Sequence, residues 1–394
     1  MTNLYFSTRA TLAATTVLAG SLLRAAPAIS ASETVLYSFA GQKDGATPQG
    51  QLLLDSAGNI YGTTQRGGLP GHDVFPRGQG TVFRIAADGK KTTMIAFNGS
   101  DGAQPVAGLA ADFGGNIYGT TEALGANGYG TLFRLAPNGT ETVLVAFDNA
   151  NTGAYPLSNL IRDSAGNLFG TTFEGGPGGG GVIFKLAPDN IFSIVYSLNP
   201  SQGDGWGVWN PITFDASGNF YGMTVLGGKQ NSGTLFKVTQ DETETVLFSF
   251  PSEGLDGGGS PGGLVVDSQG NLYGTTIDGG PKGNGVLFEF TSGGTYKILH
   301  EFAGSPSDGA TPWAGLIADQ QGDLYGTTVY GGTRGRGTLF RYSPDGTETV
   351  LFNFGGISGE RAWGLPVFDA RGNLYGTTAH GGQFGAGTVW KVTP

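Results

Sequence analysis

The string Gly-Asn-Leu-Tyr-Gly-Thr-Thr recurs seven times with small changes, its second Gly falling at Gly62, Gly119, Gly170, Gly222, Gly274, Gly326 and Gly376. The intervals are 57, 51, 52, 52, 52 and 50 residues. A period in this range restricts the chain to a solenoid, a propeller or an array, because one such unit cannot bury its own apolar face. The sixth unit shows the contents of the repeat. Four short runs, 315–319, 324–328, 338–341 and 349–354, are rich in Leu, Val, Phe, Tyr and Thr and are separated by Gly, Asp, Asn and Pro. Such runs read as strands, and no window carries a sustained helical period. Four strands per unit in seven units predict an all-β, seven-bladed β-propeller with four antiparallel strands per blade.

The ends of the repeat array are out of phase. The last unit stops at its third strand, near Trp390, whereas Glu33 to Phe39 (ETVLYSF) matches the fourth strands Glu244 to Phe250 and Glu348 to Phe354. The N-terminal strand is therefore expected to complete the last blade and leave no open sheet edge. One propeller domain is predicted over 33–394.

Residues 1–32 read differently. Arg9 precedes a mostly apolar stretch from Thr11 to Leu23, Arg24 ends it, and Ala26-Pro27-Ala28 fits a small-x-small cleavage pattern. This predicts a signal peptide and short leader. The stretch is shorter than the roughly 20 residues of a transmembrane helix. The mature chain is expected to be exported (secreted, periplasmic or cell-surface), without a membrane span and monomeric.

Composition removes several function classes. The 73 Gly follow no Gly-X-Y period, which excludes collagen. The absence of Cys excludes disulfides, thiolate metal sites and cysteine nucleophiles. With 21 basic and 31 acidic residues the net charge is −10, which argues against a nucleic-acid partner.

The G-N-L-Y-G-T-T…G-G…G-T-x-F unit resembles the GloVer-type tandem repeat of bacterial exported proteins, and the resemblance spans all seven units. It implies an exported, propeller-like repeat protein. It carries no activity onto this chain.

Several repeated features are read as structural. Asp55, Asp112, Asp163, Asp215, Asp267, Asp319 and Asp369 each open an Asp-x-x-Gly turn, where a carboxylate accepts backbone N–H groups. One carboxylate per turn is too few for a calcium loop. The Tyr-Gly-Thr-Thr run and the third-strand Phe are packing positions, and Trp390 in the Phe register is read as core. His300 falls in an apolar register and is read as a packed, hydrogen-bonded histidine. The bases that follow the third-strand Phe, such as Arg84, Arg134 and Arg341, are expected to pair with fourth-strand acids such as Glu141, Glu244 and Glu348.

On a symmetric scaffold, function belongs where the units differ. The second-to-third loops and the fourth-to-first connections vary and emerge on one face. One variable ring precedes the loop Gly-Gly and comprises Arg66, Ala123, Glu174, Leu226, Asp278, Tyr330 and His380. The other leads into the first strands and comprises Gln49, Val106, Leu157, Trp209, Pro261, Trp313 and Trp363, with Trp206 close by. Three of the five Trp thus share one register beside the channel mouth. The first unit adds seven residues within Leu69 to Gln79, including His72, Asp73, Phe75 and Arg77.

The ligand-binding candidates are therefore Trp206, Trp209, Trp313, Trp363, Arg66, Glu174, Asp278, Tyr330 and His380. Indoles on loops stack on sugars or anchor partners. The leading expectation is a binding module for a glycan or an extracellular protein, with no cofactor, no metal and no catalytic residue assigned. A lyase or lactone-hydrolase propeller enzyme is the alternative, with Glu174, Asp278 and His380 converging above the channel. A structural surface protein is a second alternative. Arg162 is the only charge expected on the channel-lining strands.

Overall fold

A computed structural model describes residues 31–69, 77–252 and 258–394. The export signal, and the part of the first-unit insertion that carries His72, Asp73 and Phe75, lie outside these residues.

The fold is a ring of seven antiparallel sheets, a β-propeller. Blade 1 consists of Leu53–Leu54, Ile60–Thr64, Thr81–Ile85 and Lys91–Ala96, running outward from the channel. Blades 2 to 6 repeat this order. Blade 7 takes three strands from the end of the chain, Val367–Phe368, Leu374–Thr378 and Thr388–Thr393, and its outermost strand is Ser32–Ser38. Val35 pairs with Trp390 and Ser32 with Thr393, so the chain closes on itself as its ends foretold.

Each element of the repeated motif has a physical reason. The motif Gly lies opposite the third-strand aromatic. A Cβ on Gly62 would lie 2.6 Å from the Phe83 ring, and one on Gly376 would lie 2.3 Å from Trp390. Only hydrogen leaves room for the ring, which is fully buried in both cases. Across six of the seven blade boundaries a second aromatic meets this ring, and at the boundary of blades 3 and 4 Leu198 takes its place against Phe236. Phe39 packs edge-on to Phe83, Phe97 to Phe133 and Phe302 to Phe340, at centroid separations of 5.1, 5.3 and 5.2 Å. Burying each Phe contributes about 1.5–3 kcal/mol, and the pattern repeats around the ring.

The two motif threonines divide their work. The first donates to the neighbouring blade: Thr63 Oγ1 to the Ala107 carbonyl (2.9 Å), Thr120 to Pro156 (3.2 Å) and Thr377 across the closure to Gly50 (3.4 Å). The second meets the Thr that opens the third strand, as in Thr64 with Thr81 (2.8 Å) and Thr378 with Thr388 (2.8 Å). Both hydroxyls are thereby satisfied in a dry interior, where an unmade bond is costly.

The turn aspartates are structural. Asp55 Oδ1 accepts the N–H groups of Ala57 and Asn59, and Oδ2 accepts Asn59 Nδ2 and the Tyr61 hydroxyl. The expected pairing of third-strand bases with fourth-strand acids does not form. Arg134 stands opposite Thr142, whereas Glu141 stands opposite Leu135, one residue away and on the other face of the sheet. The bases turn inward along the blade. Arg84 donates to Asn59 Oδ1 at 3.0 Å, Arg341 approaches Asp323 at 3.8 Å, and Lys391 lies over the Tyr375 ring. Glu141, Glu244 and Glu348 each keep a buried Oε1 without a hydrogen-bond partner.

Candidate functional site

The two variable loop sets meet on one face. Backbone bridges tie each fourth-to-first connection to the adjoining second-to-third loop, as in Ala46 with Arg66, Trp206 with Leu226 and Glu360 with His380. Inside this rim the lead-ins to the first strands converge so closely that a Cβ on Gly50 would lie 2.5 Å from the Ala107 carbonyl oxygen. The residues just before these close approaches face the channel mouth.

They line a cavity of about 420 Å³. Gln49, Val106, Leu157, Trp209, Trp313 and Trp363 all border it, which is the predicted lead-in ring. The Pro261 side chain lies outside the described residues. Trp209 meets Trp313 edge-on at 5.6 Å, and Trp313 stacks near Trp363 at 6.4 Å and 28°. Phe173 extends the row from Trp209 to Trp206, at 5.3 and 4.8 Å. At the other end His380 lies edge-on to Trp363 at 6.4 Å. All four mouth tryptophans are half-buried. Trp206 reaches the row only through Phe173 and does not line the cavity.

The polar half of the cavity comes from other blades. Gln49 donates to Gln65 at 2.8 Å, and Asn159 Oδ1 accepts the Gly108 N–H at 2.5 Å. Glu122 also borders it, half-buried, and burial pushes its carboxyl above the usual range. Sequence reasoning passed over Glu122 in favour of its neighbour Ala123. Successive strand residues point to opposite faces, and here the residue before the chosen ring also faces the mouth, as Gln65, Glu122 and Val329 do.

The chosen loop ring is correspondingly dispersed. Tyr330 borders the cavity and is exposed. Arg66 and His380 border a second cavity of about 700 Å³, together with Lys43 and Arg77. Burial and the charges of Arg361 and Arg66 hold His380 below its usual pKa. Glu174 and Asp278 line neither cavity, so the expected convergence of Glu174, Asp278 and His380 is not formed there. Arg162 binds the Ala111 carbonyl and lies over Phe113, in the turns that join first and second strands, away from the mouth.

A seven-bladed propeller with an aromatic mouth on its variable face defines the class of this protein. The chain matches the Gloeobacter/Verrucomicrobia repeat over residues 2–211 and 210–394, and belongs to that family. No curated protein matches it. Among solved structures it is similar to virginiamycin B lyase from Staphylococcus aureus, at 15% identity and a TM-score of 0.60, over 92% of this chain and 99% of that one. It is also similar to the extracellular domain of a one-component system from B. thetaiotaomicron, at 13% identity and a TM-score of 0.60, over 92% of this chain and 41% of that one. At these identities the likeness concerns the fold. No helix among the described residues is long and apolar enough to cross a membrane.

Proposed function

We propose that the protein is an exported glycan-binding propeller whose ligand lies across the channel mouth. The carrying observation is that indoles from three different blades, Trp209, Trp313 and Trp363, border one cavity beside a cluster of amides. Indole faces receive the apolar faces of sugars, and Gln49, Gln65 and Asn159 supply the hydrogen bonds that orient hydroxyls. The adjoining cavity carries Lys43, Arg66 and Arg77, an unusual concentration of base on a chain of net charge −10. This favours a glycan that bears carboxylates, with the acid held by guanidinium groups. Export rests on the N-terminal pattern of the sequence.

The test is a titration of the mature protein with neutral and uronate-containing oligosaccharides. Saturable binding is expected, weakened at least about tenfold in a Trp313→Ala/Trp363→Ala variant, since anchors of this kind carry about 2 kcal/mol or more. The melting temperature of the variant should fall little, because the indoles are only half-buried. A large loss of stability with unchanged binding would make the tryptophans a plug over the channel. Turnover of a saccharide without a stable complex would make the mouth a catalytic site instead.

A further inference from the structure

Three outer seams between blades share one arrangement. A side chain near the end of one fourth strand, an acid of the following connection and the first residue of the next blade's fourth strand come together. At the seam of blades 7 and 1 these are Tyr37, Asp44 and Lys91. The Tyr37 hydroxyl donates to Asp44 at 2.7 Å, and Lys91 Nζ pairs with the same oxygen at 3.0 Å. At the seam of blades 3 and 4 they are Tyr196, Asp204 and Glu244, with the hydroxyl 2.8 Å from Asp204. Lys91 supplies a cation at the first seam. Glu244 supplies a second acid at the other.

The seam of blades 5 and 6 differs again. His300 replaces the tyrosine, and its Nε2 lies 3.0 Å from Asp308 Oδ2, with the third position held by Glu348. One ligand atom from each of His300, Asp308 and Glu348 lies within 4.8 Å of the other two. Asp308 is buried and fixed by the Ala303 N–H at 2.6 Å, while Glu348 Oε1 is buried without a hydrogen-bond partner. We infer that these three residues bind a divalent transition-metal ion, with Zn²⁺ best suited to one imidazole nitrogen and two carboxylate oxygens. The ion supplies the positive charge that Lys91 supplies two blades away around the ring. It gives the orphan Glu348 oxygen a partner and ties the fourth strands of blades 5 and 6 together. A water completes the coordination from the half-exposed side of His300 and Glu348.

The sister seams also provide the variants. His300→Tyr copies Tyr37 and Tyr196, and Glu348→Lys copies Lys91, so each replacement already exists in this fold. The untagged chain, stripped with chelator, is titrated with Zn²⁺ by calorimetry and with Co²⁺ by visible absorption. About one equivalent should bind, more tightly at pH 8 than at pH 6 because the ligands must be deprotonated. Zn²⁺ should raise the melting temperature of the parent, and either variant should weaken binding at least about tenfold and abolish that rise. Equal Zn²⁺ affinity in the parent and both variants would overturn the site. So would loss of binding in His380→Ala with retention in His300→Tyr.

Discussion

At the residue scale, the same carboxylate chemistry is used in two opposite ways. The turn aspartates, such as Asp55 and Asp215, are held below the usual range by the N–H and hydroxyl groups they accept, which outweigh their burial. Their contribution to stability is lost only in acid. Glu141 and Glu244 are pushed up to about 7, first by burial and then by Asp101 and Asp204 respectively. A carboxyl whose folded value is raised binds its proton more tightly in the folded state. Its contribution is therefore full below the unfolded value and disappears as pH rises through about 7. Thermal melts should show stability falling from pH 5 to pH 8. A Glu141→Gln/Glu244→Gln variant, which keeps the neutral form, should melt higher than the parent at pH 8 and show a flatter profile. A profile as steep as the parent's would mean that these two carboxyls do not govern the slope.

At the element scale, the strand Ser32–Ser38 holds the ring shut. It pairs along the whole of Thr388–Thr393 and delivers Phe39, fully buried, against Phe83 of blade 1. Without it the third strand of blade 7 becomes an open edge, and loss of a buried Phe alone costs about 3–5 kcal/mol. Deleting residues 33–39 should abolish the cooperative melt or shift the chain to aggregates on size exclusion. Retention of the parent's transition and elution volume would show that six complete blades and a partial one suffice.

At the scale of the whole molecule, no blade stands alone. The boundaries described above carry an aromatic contact and a threonine-to-carbonyl bond, and the closure is stitched like the others by Thr377 to Gly50. A linear repeat array can unravel from its ends, whereas a closed ring has none to fray. Unfolding should therefore be one transition, with calorimetric and van't Hoff enthalpies equal and with indole fluorescence coincident with the far-ultraviolet signal. Two resolved transitions would place a weak boundary somewhere in the ring.

The sequence alone determined the blade count, the out-of-phase closure and the lead-in register of Trp209, Trp313 and Trp363. A repeat superposes equivalent residues by simple alignment, and ring symmetry converts a shared register into a shared position around the channel. The turn role of Asp55 and its equivalents was legible for a related reason, since all their partners lie within six residues. Tertiary structure alone decided what depends on orientation and on neighbouring blades. Glu122 borders the mouth cavity while Glu174, one position further along its repeat, does not, because the path of each loop decides which of two neighbouring positions faces the cavity. Glu141 misses Arg134 because one step along a strand turns a side chain to the opposite face. The seam of His300, Asp308 and Glu348 joins residues from two blades, and nothing in the spacing of one unit says what the next will present to it.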